Sequence, residues 1–190
     1  AVVLDIGSGC SDLPALLIKH CAARGHRLVL ADSAEMLARL PEAAATLKIA
    51  GRFPDTAATI SEAVGSADVI LCYSVIQYAQ ADGIIDEFVA AAPGLLAAGG
   101  AMLIGDVPNV SMRKRFFASP AGHAFHREFS GRDEIPTAAI EEGEEGKIND
   151  RVVLDIVAGA RASAAHAFIL PQAAELPMAN RREDILIKRP

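Results

Sequence analysis

Short apolar runs alternate with longer stretches rich in alanine and leucine along most of this chain. Apolar runs bounded by Gly, Pro, Asp or Ser are typical of buried strands, and the longer stretches are typical of helices. The runs predict strands at 2–4, 28–30, 47–53, 67–73, 101–104, 165–170 and 184–188. The stretches between them predict helices over 11–24, from Ser33 onward, over 84–92 and over 150–162. Strands and helices that alternate in this way predict a parallel sheet flanked by helices.

The last two predicted strands have no helix between them, only a loop that contains Pro171 and Pro177. Because parallel neighbours need a long crossover connection, these two strands are expected to pair as an antiparallel hairpin. We therefore predict an α/β fold with a Rossmann-like, doubly wound and mostly parallel seven-stranded sheet that ends in an antiparallel C-terminal hairpin.

Composition and charge narrow the classes of function. The 190 residues suffice for one ordinary domain, and 24 acidic against 18 basic residues give a net charge of −6. This acidity disfavours general nucleic-acid binding, and an aromatic share of 5% without Trp disfavours a stacking platform for single strands. Three cysteines without close spacing favour a reducing cytoplasm over a disulfide framework. Neither a membrane-length apolar run nor a signal-peptide pattern occurs, so no membrane association is expected.

A glycine-rich turn follows the first predicted strand, in the sequence Asp5-Ile6-Gly7-Ser8-Gly9. Such turns let the backbone approach a ligand closely, and the helix that follows offers free N–H groups. A dinucleotide site would have a third glycine where Asp12 stands, and carboxylates there repel a pyrophosphate. Two more carboxylates, Asp32 and Asp55, follow the second and third strands. Three carboxylates at one edge of a parallel sheet predict a site for a cationic ligand.

Several motifs in this order resemble those of the class I S-adenosylmethionine-dependent methyltransferases. Ser11 stands where that family often has a further glycine, a departure that a tight turn tolerates. The resemblance is strong over 1–107, and it rests on Val2-Val3-Leu4-Asp5-Ile6-Gly7-Ser8-Gly9, Leu30-Ala31-Asp32-Ser33 with Met36-Leu37, Phe53-Pro54-Asp55, Ala67-Asp68-Val69-Ile70-Leu71-Cys72-Tyr73-Ser74 and Leu95-Leu96-Ala97-Ala98-Gly99-Gly100.

The resemblance implies a cofactor, S-adenosylmethionine, and its product S-adenosylhomocysteine. Gly7 and Gly9 would pass beneath the methionine part of the cofactor, and Asp5 would lie near its ammonium group. Asp32, with Ser33 beside it, would hold the ribose hydroxyls. Met36 and Phe53 would flank the adenine ring. Asp55 would accept a hydrogen bond from the exocyclic amine of the adenine, and Ser74 would face the amino-acid end of the cofactor.

Methyl transfer is mainly a matter of alignment, and for a hydroxyl acceptor a general base helps to remove the proton. The candidates are His123, His126 and Asp106, with His166 on the sixth strand. The first two histidines are three residues apart and would share one face of a helix, but no third ligand at suitable spacing is evident, so no metal is expected.

The acceptor is expected to be a small molecule, with O-methylation of a polar, sugar-like hydroxyl as the leading hypothesis. After the fourth strand the sequence reads Tyr73-Ser74-Val75-Ile76-Gln77-Tyr78 and lacks the Asn/Asp-Pro-Pro-aromatic motif that accompanies methylation of amino groups in adenine or glutamine. Residues that could hydrogen-bond a polyol or a sugar phosphate are Gln77, Asn109, Gln172, Asn180, Arg181 and Arg182.

Two other functions stay open at this point. A non-catalytic S-adenosylmethionine-binding module would keep the same carboxylates without turnover. An NAD-dependent oxidoreductase is disfavoured by Asp12 and because neither Tyr73 nor Tyr78 is followed four residues later by Lys.

The predicted organisation is a single domain over 1–190. It comprises a cofactor-binding half at 1–107, an irregular substrate-side insertion at 108–150, and a helix with the terminal hairpin at 151–190. Family members have a helical covering segment ahead of the first strand. Because Ala1 falls almost on that strand, we expect this cap to be missing from the sequence. The sequence is compatible with a monomer and with a homodimer.

Overall fold

Five parallel strands and an antiparallel hairpin form one twisted sheet in the computed structural model, which describes residues 1–132 and 143–190. The strand order is β3-β2-β1-β4-β5-β7-β6, and β7 runs antiparallel to both of its neighbours. This confirms the predicted Rossmann-like, mostly parallel seven-stranded sheet with its antiparallel hairpin. The strands are β1 (Val2–Ile6), β2 (Arg27–Asp32), β3 (Thr46–Ala50), β4 (Ala67–Tyr73), β5 (Leu96–Pro108), β6 (His166–Pro171) and β7 (Arg182–Lys188).

Helices connect the parallel strands and lie on both faces of the sheet. Local sequence signals set the ends of these helices. Gly25 ends the first helix in the left-handed conformation. At the start of the last helix, the Asn149 side chain accepts a hydrogen bond from Val152 N. In the described ranges no helix is long and apolar enough to cross a membrane. The helices are α1 (Asp12–Arg24), α2 (Ala34–Ala38), α3 (Ala57–Val64), α4 (Ile76–Ala81), α5 (Ile85–Ala91), α6 (Val110–Phe117), α7 (Pro120–Ser130) and α8 (Asp150–Ala162), with a 3-10 turn at Ala92–Leu95.

Two clusters of buried side chains cover the two faces of the sheet. Successive residues of a strand point to opposite faces, so Leu4 belongs to one cluster and Val3 to the other. The larger cluster includes buried residues of α3, α4, α5 and α8, and the smaller one includes Ile18 and Cys21 of α1. With both faces buried, the ends of the strands are the places where a ligand can reach the sheet.

The segment predicted as an irregular insertion contains two helices, α6 and α7, so that description was wrong for 110–130. Asn109 begins α6, since its side-chain oxygen accepts hydrogen bonds from the N–H groups of Ser111 and Met112 at 2.9 and 3.1 Å. Residues 133–142 of the same segment lie outside the described residues. The helices α3 and α4 were not predicted, because each is too short to establish a clear apolar stripe.

Candidate functional site

The turn after β1 brings the backbone close to the end of β4. Gly7 and Gly9 both adopt positive φ values, +71° and +64°, which glycine reaches without strain. Gly7 N donates to Ala31 O at 2.8 Å, and a Cβ on Gly7 would lie 2.5 Å from Val75 Cγ2. Only glycine fits here without displacing Val75.

Asp32 ends β2 and faces this glycine turn. Its Oδ2 accepts a hydrogen bond from Gly9 N at 2.7 Å, and its Oδ1 accepts one from Ser33 N at 2.6 Å. A carboxylate oxygen can accept two hydrogen bonds, so each oxygen keeps one lone pair for a ligand. The two N–H groups therefore fix the orientation of the carboxylate without using up its capacity.

Asp5 lies in β1 directly below the same turn and is only 2% exposed. Burial raises its pKa from 3.8 to about 7; the Ser8 hydroxyl offsets part of this effect, and the negative charge of Asp32 adds to it. Among the described residues, Asp5 Oδ2 has no hydrogen-bond partner. A buried carboxyl oxygen without a partner is costly, and a nearby cationic ligand would relieve that cost.

A cavity of about 610 Å³ opens between the ends of β1, β2 and β3 and the helices α4 and α5. Its apolar wall contains Phe53 and Phe88, whose rings meet edge to face at 4.8 Å. Its rim carries Arg52 and Asp82, which form an ion pair, and the exposed ring of Tyr78. The size and the few polar groups on largely apolar walls are typical of small-molecule sites.

The structure brings some of the predicted cofactor-binding residues together and leaves others outside. Those that line the cavity are Gly7, Asp32, Ser33 and Phe53. Asp5 lies buried below the turn, and Gly9 contacts Asp32 through its N–H. The others do not line the cavity: Met36 is half-buried on α2, Asp55 is exposed, and Ser74 follows β4 beside Val75. The binding roles of all nine residues stay predictions.

Several cavity residues that sequence reasoning missed lie in or next to α4 and α5, or in the loop after β3. Among them are Arg52, Val75, Tyr78, Asp82, Ile84 and Phe88. Tyr78 and Asp82 are four residues apart, a spacing that brings side chains onto one side of a helical turn. That spacing could have identified them had α4 been recognised.

A polar network links the ends of β4 and β5. Ser74 and Asp106 have φ values of +59° and +60°, a conformation that non-glycine residues adopt only where the surroundings hold them. The Ser74 hydroxyl donates to the Asp106 carboxylate, which also forms an ion pair with Arg182. Gln172 Nε2 donates to Asp106 Oδ1 at 3.3 Å. Asp106 is thus a well-anchored carboxylate.

The candidate histidines lie away from the main cavity. His123 is exposed on α7, and His126, on the same helix, is half-buried with Nε2 3.1 Å from Ser130 Oγ. Neither lines the cavity, and His166 is exposed at the start of β6. In the described part of the chain, no three side chains of the His, Cys, Asp or Glu type form a metal-binding group. The catalytic roles of His123, His126 and Asp106 stay predictions.

Substituting Gly7→Ala is expected to lower the free energy of unfolding by about 2–4 kcal/mol. The new Cβ meets the stiff, β-branched Val75 at 2.5 Å and also carries the strain of a positive φ. Chemical denaturation of both proteins measures the loss. Gly25→Ala is the matched control, because its φ of +67° is similar but no atom lies within 4 Å of its Cβ. Equal losses in the two variants would show that the contact with Val75 has no effect.

Comparison with known proteins identifies the fold. No family model matches the sequence, and no curated protein sequence matches it significantly. Solved structures do match, among them an O-methyltransferase family 2 protein from Planctomyces limnophilus in complex with apigenin, with 20% identity and a TM-score of 0.57 over 100% of this chain. That match covers 51% of the other protein, so the present chain spans about half its length.

Two further solved structures also match nearly the whole of this chain at low sequence identity. Human N-acetylserotonin methyltransferase in complex with S-adenosylmethionine matches with 13% identity and a TM-score of 0.56, over 99% of this chain and 47% of the human protein. The methyltransferase domain of a bacterial Hen1 protein matches with 13% identity and a TM-score of 0.63, over 99% of this chain and 89% of that domain. At such low identity the likeness concerns the fold. The chain has the Rossmann-like fold of class I methyltransferases, as the sequence resemblance predicted.

Proposed function

We propose that this chain is a methyltransferase that uses S-adenosylmethionine to methylate an oxygen atom of a small polar molecule, such as a sugar-like hydroxyl. The observation that carries the proposal is the carboxylate of Asp32. It is held by two backbone N–H groups at the edge of a cavity of about 610 Å³, with a lone pair left on each oxygen. This is an acceptor arrangement that suits the two hydroxyls of a ribose.

The other residues around the cavity fit the remaining parts of the cofactor. The apolar wall with Phe53 and Phe88 suits a purine ring, which stacks well against aromatic and aliphatic side chains. The ammonium and sulfonium groups suit the negative field of Asp5 and Asp32, and a positive charge nearby would favour the ionised form of Asp5. A pyrophosphate would meet this same field unfavourably, which disfavours the oxidoreductase alternative.

When bound, S-adenosylmethionine supplies an electrophilic methyl group, which passes to a nucleophile as the carbon–sulfur bond breaks. The task of the protein is then mainly alignment, because a displacement reaction needs the nucleophile in line with the bond that breaks. Gly7 lines the cavity and Gly9 orients Asp32 through its N–H, so both would shape the site around the ligand. Val75 lines the cavity as well, and Ser74 beside it donates to Asp106.

The proton of a hydroxyl acceptor is proposed to be taken up by His123, His126 or Asp106. Asp106 is connected to the cavity through Ser74, whose neighbour Val75 lines it. It already accepts hydrogen bonds from Ser74, Gln172 and Arg182, so its capacity to accept a proton is reduced. A positioning role, in which Asp106 orients Ser74 and Arg182, is therefore part of the proposal.

A cytoplasmic location is also proposed. Cys10 is exposed, Cys21 and Cys72 are buried, and all three are free thiols. Free thiols fit a reducing compartment.

The proposal is tested by incubating the protein with methyl-labelled S-adenosylmethionine and a panel of sugars, hydroxy acids, phenols and amines. We expect label in a small hydroxylated product, and we expect S-adenosylhomocysteine, but not NADH, to bind in calorimetry. Label found only in protein or RNA would contradict the proposal. Tight binding of S-adenosylhomocysteine without transfer to any acceptor would favour the non-catalytic binding module instead.

A further inference from the structure

A second cavity, of about 350 Å³, lies at the same edge of the sheet, beyond the carboxyl end of β5 and beside the start of β7. Its walls combine the apolar side chains of Phe117 and Met178 with three arginines, Arg113, Arg181 and Arg182. None of the described residues that line it is acidic, although the chain as a whole has a net charge of −6. An arginine-rich cavity with an apolar floor is suited to an anionic group on an otherwise less polar molecule.

Arg181 is held firmly inside this cavity. Its guanidinium lies over the rings of Phe117 and Phe125, with Cζ 5.7 and 5.5 Å from the ring centroids. Within the described ranges, its only side-chain hydrogen-bond partner is the neutral amide oxygen of Asn180, at 3.0 Å. The guanidinium is thus fixed in direction by neighbours that carry no negative charge.

The surroundings of Arg181 disfavour its positive charge. Burial lowers the pKa of Arg181, and the positive charges of Arg113 and Arg182 lower it further. Arginine nevertheless stays protonated in proteins. Arg182 is already paired with Asp106, so an oxyanion that binds here would offset the remaining repulsion on Arg181, whose planar guanidinium can donate two parallel hydrogen bonds to it.

The second cavity is connected to the first through the network at the strand ends. Arg182 lines the second cavity and pairs with Asp106, Asp106 accepts from Ser74, and Val75 after it lines the first cavity. This chain of contacts connects the cationic cavity with the proposed cofactor site.

We propose that the second cavity binds the anionic end, a carboxylate or a phosphate, of the methyl acceptor, with Arg181 as the specificity-determining residue. This rests on the proposed methyltransferase function. A hydroxyl elsewhere on the same acceptor would then receive the methyl group, so the substrate class is a small hydroxylated acid or phosphate ester.

The test measures anion binding without methyl transfer. Inorganic phosphate, acetate and benzoate are titrated into the full chain, and binding is followed by NMR shifts of backbone amides near Arg181 and by thermal denaturation. We expect at least one of these anions to bind the wild-type chain, and Arg181→Gln to bind it at least about tenfold more weakly. Arg151→Gln is the matched control, since Arg151 is an exposed arginine on α8 that pairs with Asp155.

A second variant, Met178→Glu, places a carboxylate in the cavity at a position that is 38% exposed and should weaken binding similarly. Phosphate alone as a ligand indicates a phosphate ester, and acetate or benzoate alone indicates a carboxylic acid. The inference would be overturned if the wild-type chain bound none of these anions. It would also be overturned if Arg181→Gln and Met178→Glu both bound the anion as tightly as Arg151→Gln. S-adenosylhomocysteine binding is measured on the same samples, so a failed anion site is distinguishable from a failed cofactor site.

Discussion

Replacing Asp32 with alanine is expected to weaken the binding of S-adenosylhomocysteine by about 100-fold or more. The variant loses the two acceptor oxygens proposed for the ribose, and hydrogen bonds to a charged group contribute about 1.5–3 kcal/mol each. It also leaves the N–H groups of Gly9 and Ser33 without their carboxylate partner, which loosens the glycine turn. Isothermal titration calorimetry of both proteins gives the two dissociation constants.

Glu35→Ala is the matched control for Asp32→Ala. It removes one carboxylate from α2, three residues further along the chain, where Glu35 forms an exposed ion pair with Arg39. Exposed pairs of this kind contribute little, so binding should stay near that of the wild type. Similar affinity in Asp32→Ala and Glu35→Ala would remove the central support for the proposed function.

Replacing Asp5 with asparagine is expected to change how stability depends on pH. The wild-type pKa rises from 3.8 to about 7 on folding, so between these values the folded state binds more protons than the unfolded state. Its free energy of unfolding therefore falls as the pH rises through this window, and the Asp5 contribution changes by about 2.5 kcal/mol between pH 5 and pH 8. Asp5→Asn cannot titrate and lacks this contribution.

Urea denaturation at pH 5, 6, 7 and 8 measures the effect as the difference between variant and wild type. We expect Asp5→Asn to gain stability relative to the wild type with each step, with most of the gain complete near pH 7. Asp55→Asn, which removes an exposed carboxylate, controls for the change in net charge. A constant difference between Asp5→Asn and the wild type across the four pH values would contradict the shifted pKa.

Sequence reasoning worked best where one strong local signal determined an element. The structure has β4 at Ala67–Tyr73 and α8 at Asp150–Ala162, the same ranges that the pattern predicted. The first is a central, largely apolar strand, and the second combines the Asn149 cap with a buried stripe of Val153, Ile156 and Val157. Short helices without such signals, α3 and α4, depend on tertiary contacts and were missed.

The candidate site was predictable only in part, for a related reason. Asp32 and Gly7 follow strands that the pattern located, so their convergence at one edge follows from the topology of a parallel sheet. Tyr78 reaches the cavity from α4 and Asp82 from the residue directly after it, and the sequence pattern did not indicate that helix. The role proposed for Arg181 depends on rings from α6 and α7, which lie within the segment that was predicted to be irregular.

The antiparallel direction of β7 has a consequence for how such a protein can diversify. β7 begins at the edge of the sheet where β5 ends, so Arg182 pairs in register with Pro108. Asp32 and Phe53, in contrast, come from the first third of the chain. The residues proposed to choose the acceptor and those proposed to hold the cofactor are thus encoded in separate stretches. Under the proposed function, changes in the loop at 172–181 are expected to alter which acceptor is used and to leave the residues proposed to hold the cofactor unchanged. Exchange of that loop between related chains would then be a route to new substrates.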